Sequence, residues 1–219
     1  MGRPKGHFKY PVDEGAFDPP FTEESAYWAG FIAGDGCIYN KKEGQKVIQI
    51  GLADKDIGHV QKFLKFISPG RPYYHTSRGN GTYINLGSVV SDKIANDLSK
   101  FGIGERKTFS LDIVPPIDNE SAFWRGYFDA DGGIYFYPNR RYVVAHLIAL
   151  PNVMDKFAAW IRINTLHTIK YRPEYKSLVR FRADGTKKPL AVLNALYKNS
   201  TIYLDRKYAL YQEAVRRYT

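Results

Sequence analysis

The sequence predicts a mixed α/β fold of the α+β type, in which two αββαββα repeats are related by a pseudo-twofold axis. The first observation is a pair of similar segments, YWAGFIAGDGCIY from Tyr27 and FWRGYFDADGGIY from Phe123. Over the fifteen positions that begin at Ser25 and Ser121, eight residues are identical at a constant offset of 96. Such self-similarity indicates an internal duplication. The second observation is that the same order of helical and strand patterns follows each segment.

Each repeat begins with a predicted helix. In the first copy Thr22 can cap the helix, two glutamates occupy its first turn, and Gly36 ends it. In the second copy Asp118 holds the position of Thr22 and is followed by Asn119 and Glu120. We therefore expect the two helices to begin and end at equivalent positions.

The period of the pattern changes after each of these helices. Alternating apolar residues predict strands in KVIQIGL, TYINLG and LVRFRA. Amphipathic helices are predicted for DIGHVQKFLKFI and VMDKFAAWIRI, and each half closes with a helix, around residues 91–101 and 189–197. Two prolines in SLDIVPPIDN separate the halves. The predicted organisation is a flexible basic arm (residues 1–20), a first repeat (21–110), a linker (111–120) and a second repeat (121–219).

Composition limits the class of function. Lys and Arg outnumber Asp and Glu by 32 to 22, which gives a formal charge of +10 and favours a polyanionic partner, with nucleic acid foremost. The single cysteine, Cys37, excludes an intramolecular disulfide and a cysteine-based zinc site. The sequence lacks an apolar run of membrane-spanning length and a signal-peptide pattern. We therefore expect a soluble intracellular protein with no membrane partner, in a compartment that the sequence leaves open.

Small residues recur on one face of both duplicated helices. Gly30 and Gly34 are four residues apart, and Gly126 and Ala130 hold the matching positions. Glycine inside a helix costs about 0.5–1 kcal/mol relative to alanine, whereas small residues at this spacing let two helix backbones approach closely. The pattern predicts that the two helices pack against each other at the centre of the molecule.

Each helix also ends in an aspartate. Asp35 and Asp131 lie where the negative end of the helix dipole disfavours a carboxylate, and pairing of the helices would bring the two like charges together. A divalent cation that prefers oxygen ligands offsets both effects. Magnesium held by paired carboxylates can promote hydrolysis of phosphodiesters.

At these residues the sequence resembles the LAGLIDADG homing endonucleases in their single-chain, two-repeat form. WAGFIAGDG and WRGYFDADG are similar to the two signature motifs of that family, and the resemblance extends from about residue 22 to residue 219. It implies that the motif helices form the central interface. It also implies that two four-stranded antiparallel sheets form a saddle over the major groove of DNA.

The resemblance also implies roles for motif residues. The metal-binding carboxylate of the family stands at the eighth motif position, here Asp35 and Asp131, and the preceding carbonyl, of Gly34 or Ala130, joins the coordination. The sixth position is Asp129 in the second motif but Ala33 in the first. This departure does not affect the metal ligands.

A late basic residue in each repeat matches the family pattern as well. GERKT and LDRKY share an Arg-Lys core, and Lys107 and Lys207 are 100 residues apart. The resemblance implies that these lysines approach the active sites, where they would stabilise charge on the phosphate or orient a water. Asp54 lies where the family often places a further polar residue, but its counterpart at the 96-residue offset is Leu150.

The predicted DNA contacts come from strand residues opposite the apolar positions and from residues in loops and turns. Arginine can pair with guanine, and glutamine or asparagine with adenine. The candidates are Lys41, Lys42, Gln45, Gln49, Arg71, His75, Arg78, Tyr83, Asn85, Arg140, Arg141, Lys170, Arg172, Arg180 and Arg182.

The expected activity is cleavage of both strands of a long double-stranded DNA site by a monomer with internal pseudo-twofold symmetry. Mg²⁺ is the expected cofactor, with Mn²⁺ as a substitute and Ca²⁺ binding without supporting cleavage. Two other classes of function fit the same scaffold: an RNA-binding maturase that assists intron splicing, and a DNA-binding protein that does not cleave. The target sequence and the intron, intein or free-standing context of the gene are left open.

Overall fold

The computed structural model describes residues 10–41, 44–77, 79, 81–105, 111–116, 118–137 and 142–218 of the 219-residue chain. The helices are α1 (Glu23–Gly34), α2 (Ile57–Ile67), α3 (Asp92–Ser99), α4 (Glu120–Asp131), α5 (Pro151–Thr165), α6 (Lys187–Tyr197) and α7 (Asp205–Tyr218). The strands are β1 (Cys37–Asn40), β2 (Lys46–Leu52), β3 (Tyr74–Ser77), β4 (Tyr83–Val90), β5 (Gly132–Phe136), β6 (Val143–Ala149), β7 (Tyr171–Pro173) and β8 (Val179–Gly185).

The predicted fold class is confirmed. Each half runs helix, hairpin, helix, hairpin, helix, and each half forms one four-stranded antiparallel sheet. The strand orders are β1-β2-β4-β3 and β5-β6-β8-β7, so the two sheets have equivalent topology. The sequence patterns did not reveal α7, which closes the second repeat.

Helices cover one face of each sheet. Ile48, Ile50 and Leu52 of β2 are buried on this side, as the alternation predicts. Gly87 of β4 lies on the same face, where a Cβ atom would approach Val60 and Leu64 of α2 within 3.2 Å. We call the opposite face of each sheet its open face.

Helices α1 and α4 pack at the centre through their glycines. A Cβ atom at Gly30 would lie 1.9 Å from the carbonyl oxygen of Phe123, and one at Gly126 would lie 2.0 Å from that of Tyr27. These two distances are nearly equal, as a pseudo-twofold axis between the helices requires. The predicted central helix pair is therefore present.

The N-terminal cap of α4 differs from the expected one. Thr22 caps α1 as predicted, because its hydroxyl accepts a hydrogen bond from the Ser25 amide. In the second repeat the cap residue is Asn119, not Asp118, and its side chain makes no capping bond. Asn119 instead donates to the Phe21 carbonyl at 2.7 Å, which links the start of α4 to the first repeat.

Residues 10–20 pack against the first repeat, which corrects the prediction of a flexible arm for this part of the chain. Phe17 is fully buried and its ring contacts that of Phe66. The Asp13 amide donates to the Ile67 carbonyl at 2.8 Å. Residues 1–9 lie outside the described residues.

The described part of the linker is also held in place. Leu111 and Ile113 are buried, and Asn152 of α5 donates to the Leu111 carbonyl at 2.8 Å. Lys156 donates hydrogen bonds to the Asp112 carboxylate and to the Ile113 carbonyl.

None of the helices in the described ranges is long and apolar enough to cross a lipid bilayer.

Candidate active site and nucleic-acid interface

The two motif aspartates lie at the same end of the paired helices. Asp35 is the C-terminal cap of α1 and its side chain is exposed, whereas Asp131 is the last residue of α4 and is half-buried. A Cβ atom at Gly34 would lie 2.4 Å from the Ala130 Cβ and 3.1 Å from Asp131 Oδ2. The absence of a side chain at position 34 thus leaves room for the carboxylate of the other motif.

Tyr127 and Lys207 both lie close enough to the two aspartates for the carboxylate charges to affect their pKa values. Burial raises the pKa of the Tyr127 hydroxyl, and so do the charge and hydrogen bond of Asp131 and, more weakly, the charge of Asp35. Burial lowers the pKa of Lys207 to about 8, although Asp129, Asp35 and Asp131 each act to raise it. Both motif carboxylates therefore converge on one region, as the sequence predicted.

The donor set suits a hard divalent cation. Among the described residues, no three His, Cys, Asp or Glu side chains come together as a metal-binding group. The site accordingly offers two carboxylates and nearby backbone carbonyls rather than a closed protein cage. Magnesium commonly uses one or two carboxylates and completes its octahedron with water and substrate phosphate, so these residues fit the expected ion.

Lys207 does not point a free ammonium group at a substrate. The side chain is buried, and Nζ donates to the carbonyl oxygens of Phe128 (2.8 Å), Asp129 (2.7 Å) and Gly132 (2.5 Å). It thereby supplies donors to the C-terminal end of α4, where helical carbonyls lack intrahelical partners. Lys207 therefore approaches the aspartate pair, as predicted, but its ammonium group is engaged by these carbonyls, and its action on the phosphate or on a water stays a prediction. Lys107 lies outside the described residues.

The other motif acid, Asp129, is the centre of a fully buried network. Its carboxylate accepts hydrogen bonds from Tyr27 (2.8 Å), Tyr197 (2.5 Å) and the Leu204 amide (2.7 Å). The Tyr27 hydroxyl also lies 2.9 Å from His59 Nε2. Burial and the charge of nearby Lys62, Lys207 and Arg206 lower the pKa of His59 to about 3. The network joins both repeats behind the aspartate pair.

On the first sheet the predicted side of β4 is wrong. Asn85 is fully buried on the helix-covered face, where it donates to Asp54 at 2.8 Å. By register His75 and Tyr83 lie on the same side as Asn85, and their rings stack 4.8 Å apart. The physical reason is that Gly87, two residues after Asn85, must face α2. Ile84 and Leu86 therefore occupy the open face.

The other DNA contacts predicted for the first repeat do not all lie on the open face. Gln49 lies on the open face, where its amide oxygen accepts a bond from Tyr39 at 3.3 Å, and Lys41 and Gln45 are exposed near the β1–β2 turn. Arg71 instead donates to Ser68 and to the Tyr10 carbonyl, so it anchors the N-terminal segment. Lys42, Arg78, Arg140 and Arg141 lie outside the described residues.

On the second sheet, the strand register places the predicted DNA-contacting side chains on the predicted face. Arg180 and Arg182 of β8 and Arg172 of β7 lie on the open face, opposite the buried Phe181. With Lys170 they border a concavity of about 390 Å³. This open face therefore presents a group of guanidinium and ammonium groups.

Solved structures with this arrangement identify the fold. I-AabMI bound to uncleaved DNA, described as a LAGLIDADG meganuclease, superposes with a TM-score of 0.57 over 87% of this chain and 88% of its own, at 12% identity. The chain has the LAGLIDADG fold. The homing endonuclease I-SmaMI bound to cleaved DNA gives 0.57 at 10% identity, covering 87% of each chain. I-GzeII in complex with its DNA target gives 0.55 at 10% identity, covering 87% of this chain and 88% of its own.

The sequence matches no protein-family model and no curated protein. The LAGLIDADG fold is thus supported by the structural matches and by the two motifs that the chain carries.

Three residues of the candidate site and interface could not be recognised from the sequence. His146 lies on the second open face, where its ring covers Gly133, since a Cβ atom there would lie 2.2 Å from the ring. The run VVAHLIAL is apolar on both sides, so alternation could not show its orientation. Tyr127 and Tyr197 resemble core aromatics in the sequence, and only the tertiary structure shows the carboxylates that they contact.

Proposed function

We propose that the protein is a site-specific endonuclease that cleaves both strands of double-stranded DNA with Mg²⁺. The observation that carries the proposal is the convergence of Asp35 and Asp131 at the ends of two closely packed helices. Neighbouring solved structures of the same fold are described as bound to uncleaved or cleaved DNA. The formal charge of +10 adds a general attraction for a polyanion.

The carboxylates of Asp35 and Asp131, with the carbonyls of Gly34 and Ala130, would hold the cation. When bound, the ion supplies Lewis-acid stabilisation of charge on the phosphate and lowers the pKa of a bound water. One aspartate serves each strand, because the pseudo-twofold axis between the helices matches the dyad of a DNA duplex.

The remaining side chains position these carboxylates. Lys207 fixes the last turn of α4 through three carbonyls and so sets the orientation of Asp131. The Tyr127 hydroxyl donates to the Asp131 carboxylate one turn along the same helix. Both contacts limit movement of the carboxylate, and precise placement of reacting groups is a large part of catalysis.

Cleavage of a plasmid library tests the proposal. A plasmid pool with a randomised insert is incubated with protein and Mg²⁺, and the linear products are sequenced to find the site. On that site we expect Asp35→Asn and Asp131→Asn each to reduce double-strand cleavage by more than ~100-fold, because even outer partners of metal ligands contribute 10- to 100-fold. Omission of Mg²⁺ should abolish cleavage.

Asp118→Asn, at the opposite end of α4, is the matched control and should cleave like the wild type. Binding of the site in Ca²⁺ should persist in all three variants, which shows that they are folded. Full double-strand cleavage by either motif variant would contradict the assignment of the aspartates. Binding of duplex DNA without cleavage in any divalent metal, or preference for RNA over duplex DNA, would overturn the proposal in favour of the other two classes.

A further inference from the structure

The open face of the first sheet is chemically neutral. Within the described strands β1 to β4, the residues whose side chains lie on this face carry no charge. Gln49 and Ser88 are directly paired across β2 and β4, and Tyr74 pairs with Leu86. A Cβ atom at Gly51 would lie 2.8 Å from the terminal carbons of Ile84 and Leu86, so these two apolar side chains cover the middle of the face.

The open face of the second sheet has the opposite character. Arg172 and Arg180 are directly paired across β7 and β8, and Arg182 follows on the same side of β8. Lys170 lies beside them and is exposed. The two sheets have the same topology, but one presents amide, hydroxyl and apolar groups where the other presents guanidinium groups together with the Asp184 carboxylate.

The arginines of the second open face are held in fixed orientations. Arg182 donates from Nε and Nη2 to the Asp184 carboxylate, at 2.7–3.1 Å, and from Nη2 to the Tyr137 hydroxyl at 3.0 Å. Its guanidinium carbon lies 5.8 Å from the centre of the Tyr135 ring. Arg180 donates to Glu174 at 2.5 Å. A side chain that is already ordered loses less conformational entropy on binding.

The same face retains polar atoms without hydrogen-bond partners. Among the described residues, Arg180 Nε and His146 Nδ1 are buried side-chain nitrogens with no partner. Buried polar atoms are normally satisfied. Arg180 Nε itself is shielded from solvent, so an acceptor at this face meets the exposed part of the guanidinium group and not Nε.

We propose that the two halves of the DNA target differ in composition: the half under the second sheet contains guanines read by Arg180 and Arg182, and the half under the first sheet is A·T-rich. This inference rests on the proposed function, since it concerns the DNA site of the same protein. Arginine forms a bidentate pair with the O6 and N7 atoms of guanine in the major groove. In Arg182 the Asp184 carboxylate and the Tyr137 hydroxyl engage Nε and Nη2, so Nη1 is the group that would contact guanine. In Arg180, where Glu174 engages Nη2, the contact would come from Nη1 and the second N–H of Nη2.

The chemistry of the first open face favours the other base pair. Glutamine pairs with the N6 and N7 atoms of adenine, and apolar side chains contact the methyl group of thymine. Gln49, Ile84 and Leu86 provide both kinds of group on neighbouring strands. Replacement of A·T by G·C there would leave the guanine acceptors without a charged donor from the described strands.

Selection from a randomised duplex pool tests this inference. The wild-type protein is equilibrated with duplexes that carry 24 random base pairs, in Ca²⁺ so that DNA is bound but not cut, and the bound fraction is sequenced over several rounds. We expect an enriched site with preferred guanines in one half and A·T pairs in the other.

Matched variants then assign each half to a sheet. Arg182→Gln and Arg180→Gln should each weaken binding of the selected site by roughly 10- to 100-fold and remove the preference for one guanine, with the other half unchanged. Gln49→Ala should relax the preference for adenine in the opposite half only. All three side chains lie on an open face, and retained binding of the unaffected half shows that each variant is folded.

The outcomes separate this inference from the proposed function. Absence of any enriched sequence would contradict site-specific binding itself. Enrichment of a site with guanines in both halves, or with guanines in the half that Gln49→Ala affects, would overturn the inference and leave the proposed function standing. Uniform weakening of all sequences by the arginine variants would also overturn it, because that behaviour indicates phosphate contacts.

Discussion

At the scale of single residues, the buried partners of the motif helices are as distinctive as the exposed aspartates. His59 has its pKa lowered to about 3 because it is buried and close to the cationic residues Lys62, Lys207 and Arg206. It is therefore neutral in the folded protein near pH 7. The Tyr27 hydroxyl lies between this imidazole and the Asp129 carboxylate, and it donates to the latter.

The neutral state of His59 predicts acid sensitivity. In the unfolded chain a histidine binds a proton below about pH 6.5, but the folded protein binds one only as the pH approaches about 3. The unfolded state therefore binds more protons in this window, so the free energy of unfolding decreases as the pH falls. We expect wild-type stability to fall more steeply than that of His59→Gln, by up to about 1.4 kcal/mol per pH unit.

Urea unfolding of both proteins at pH 7, 6, 5 and 4.5 measures this difference. Other titrating groups are common to the two proteins and largely cancel in the comparison. Parallel curves of stability against pH would show that the histidine is protonated in the folded state and would contradict the prediction.

The positions of some candidate-site residues can be predicted from the sequence, and those of others cannot. The motif aspartates were predictable because duplication placed a carboxylate at the unfavourable end of two helices. The position of Asn85 was not predictable. Because β4 carries the apolar residues Ile84 and Leu86 on its open face, alternation alone assigns Asn85 to the wrong side. The partners of Lys207 depend on α7, a helix that the sequence patterns did not reveal, and on carbonyls exposed only where α4 ends.

At the scale of elements, the contact between α1 and α4 depends on glycine. Both Gly30 and Gly126 face a backbone carbonyl of the other helix at a distance that excludes any side chain. A backbone group at the centre of a helix pair cannot rotate away as a flexible side chain can. The spacing of these glycines made the helix pair predictable, whereas α7 has no counterpart among the described residues of the first repeat and could not be inferred from duplication.

Alanine at these positions should therefore separate the helices. Gly30→Ala and Gly126→Ala are each expected to lower the free energy of unfolding by about 1–3 kcal/mol or more, although alanine has the higher helix propensity. Gly58→Ala in α2 is the matched control, because a Cβ atom there meets nothing within 4 Å. It should raise stability by about 0.4–1 kcal/mol.

Chemical denaturation of the three variants at one pH gives the comparison. Stabilisation by alanine at either central position would mean that the helices do not approach as closely as the structure shows. Gly30→Ala and Gly126→Ala should also lose cleavage, since displacement of α4 moves Asp131 relative to Asp35, whereas Gly58→Ala should retain it.

At the scale of the whole molecule, the two repeats are joined by more than the linker. Arg125 of α4 is buried and donates to Glu23 of α1 and to the carbonyls of Leu196 and Ile202. The buried network around Asp129 adds contacts across the same boundary. These contacts predict that the repeats unfold as one cooperative unit.

The fluorescence of the remaining tryptophans can follow the unfolding of one repeat when the tryptophans of the other repeat are replaced. Trp28→Phe leaves Trp124 and Trp160, which report on the second repeat, and the double variant Trp124→Phe/Trp160→Phe leaves Trp28 in the first. Within each variant we expect the urea midpoint from fluorescence to coincide with that from far-ultraviolet circular dichroism. Separate midpoints would show that the repeats unfold independently.

The network around Asp129 also means that the two halves cannot serve as interchangeable modules. At the 96-residue offset, Tyr27 corresponds to Phe123 and His59 to Asp155. A protein engineered from two copies of the second half would thus bury the same carboxylate without the Tyr27 hydroxyl that donates to it here. Tyr27 contacts Asp129 across the boundary between the halves and is itself hydrogen-bonded to His59, so grafting the second half onto a foreign partner would require both residues to be transplanted with it.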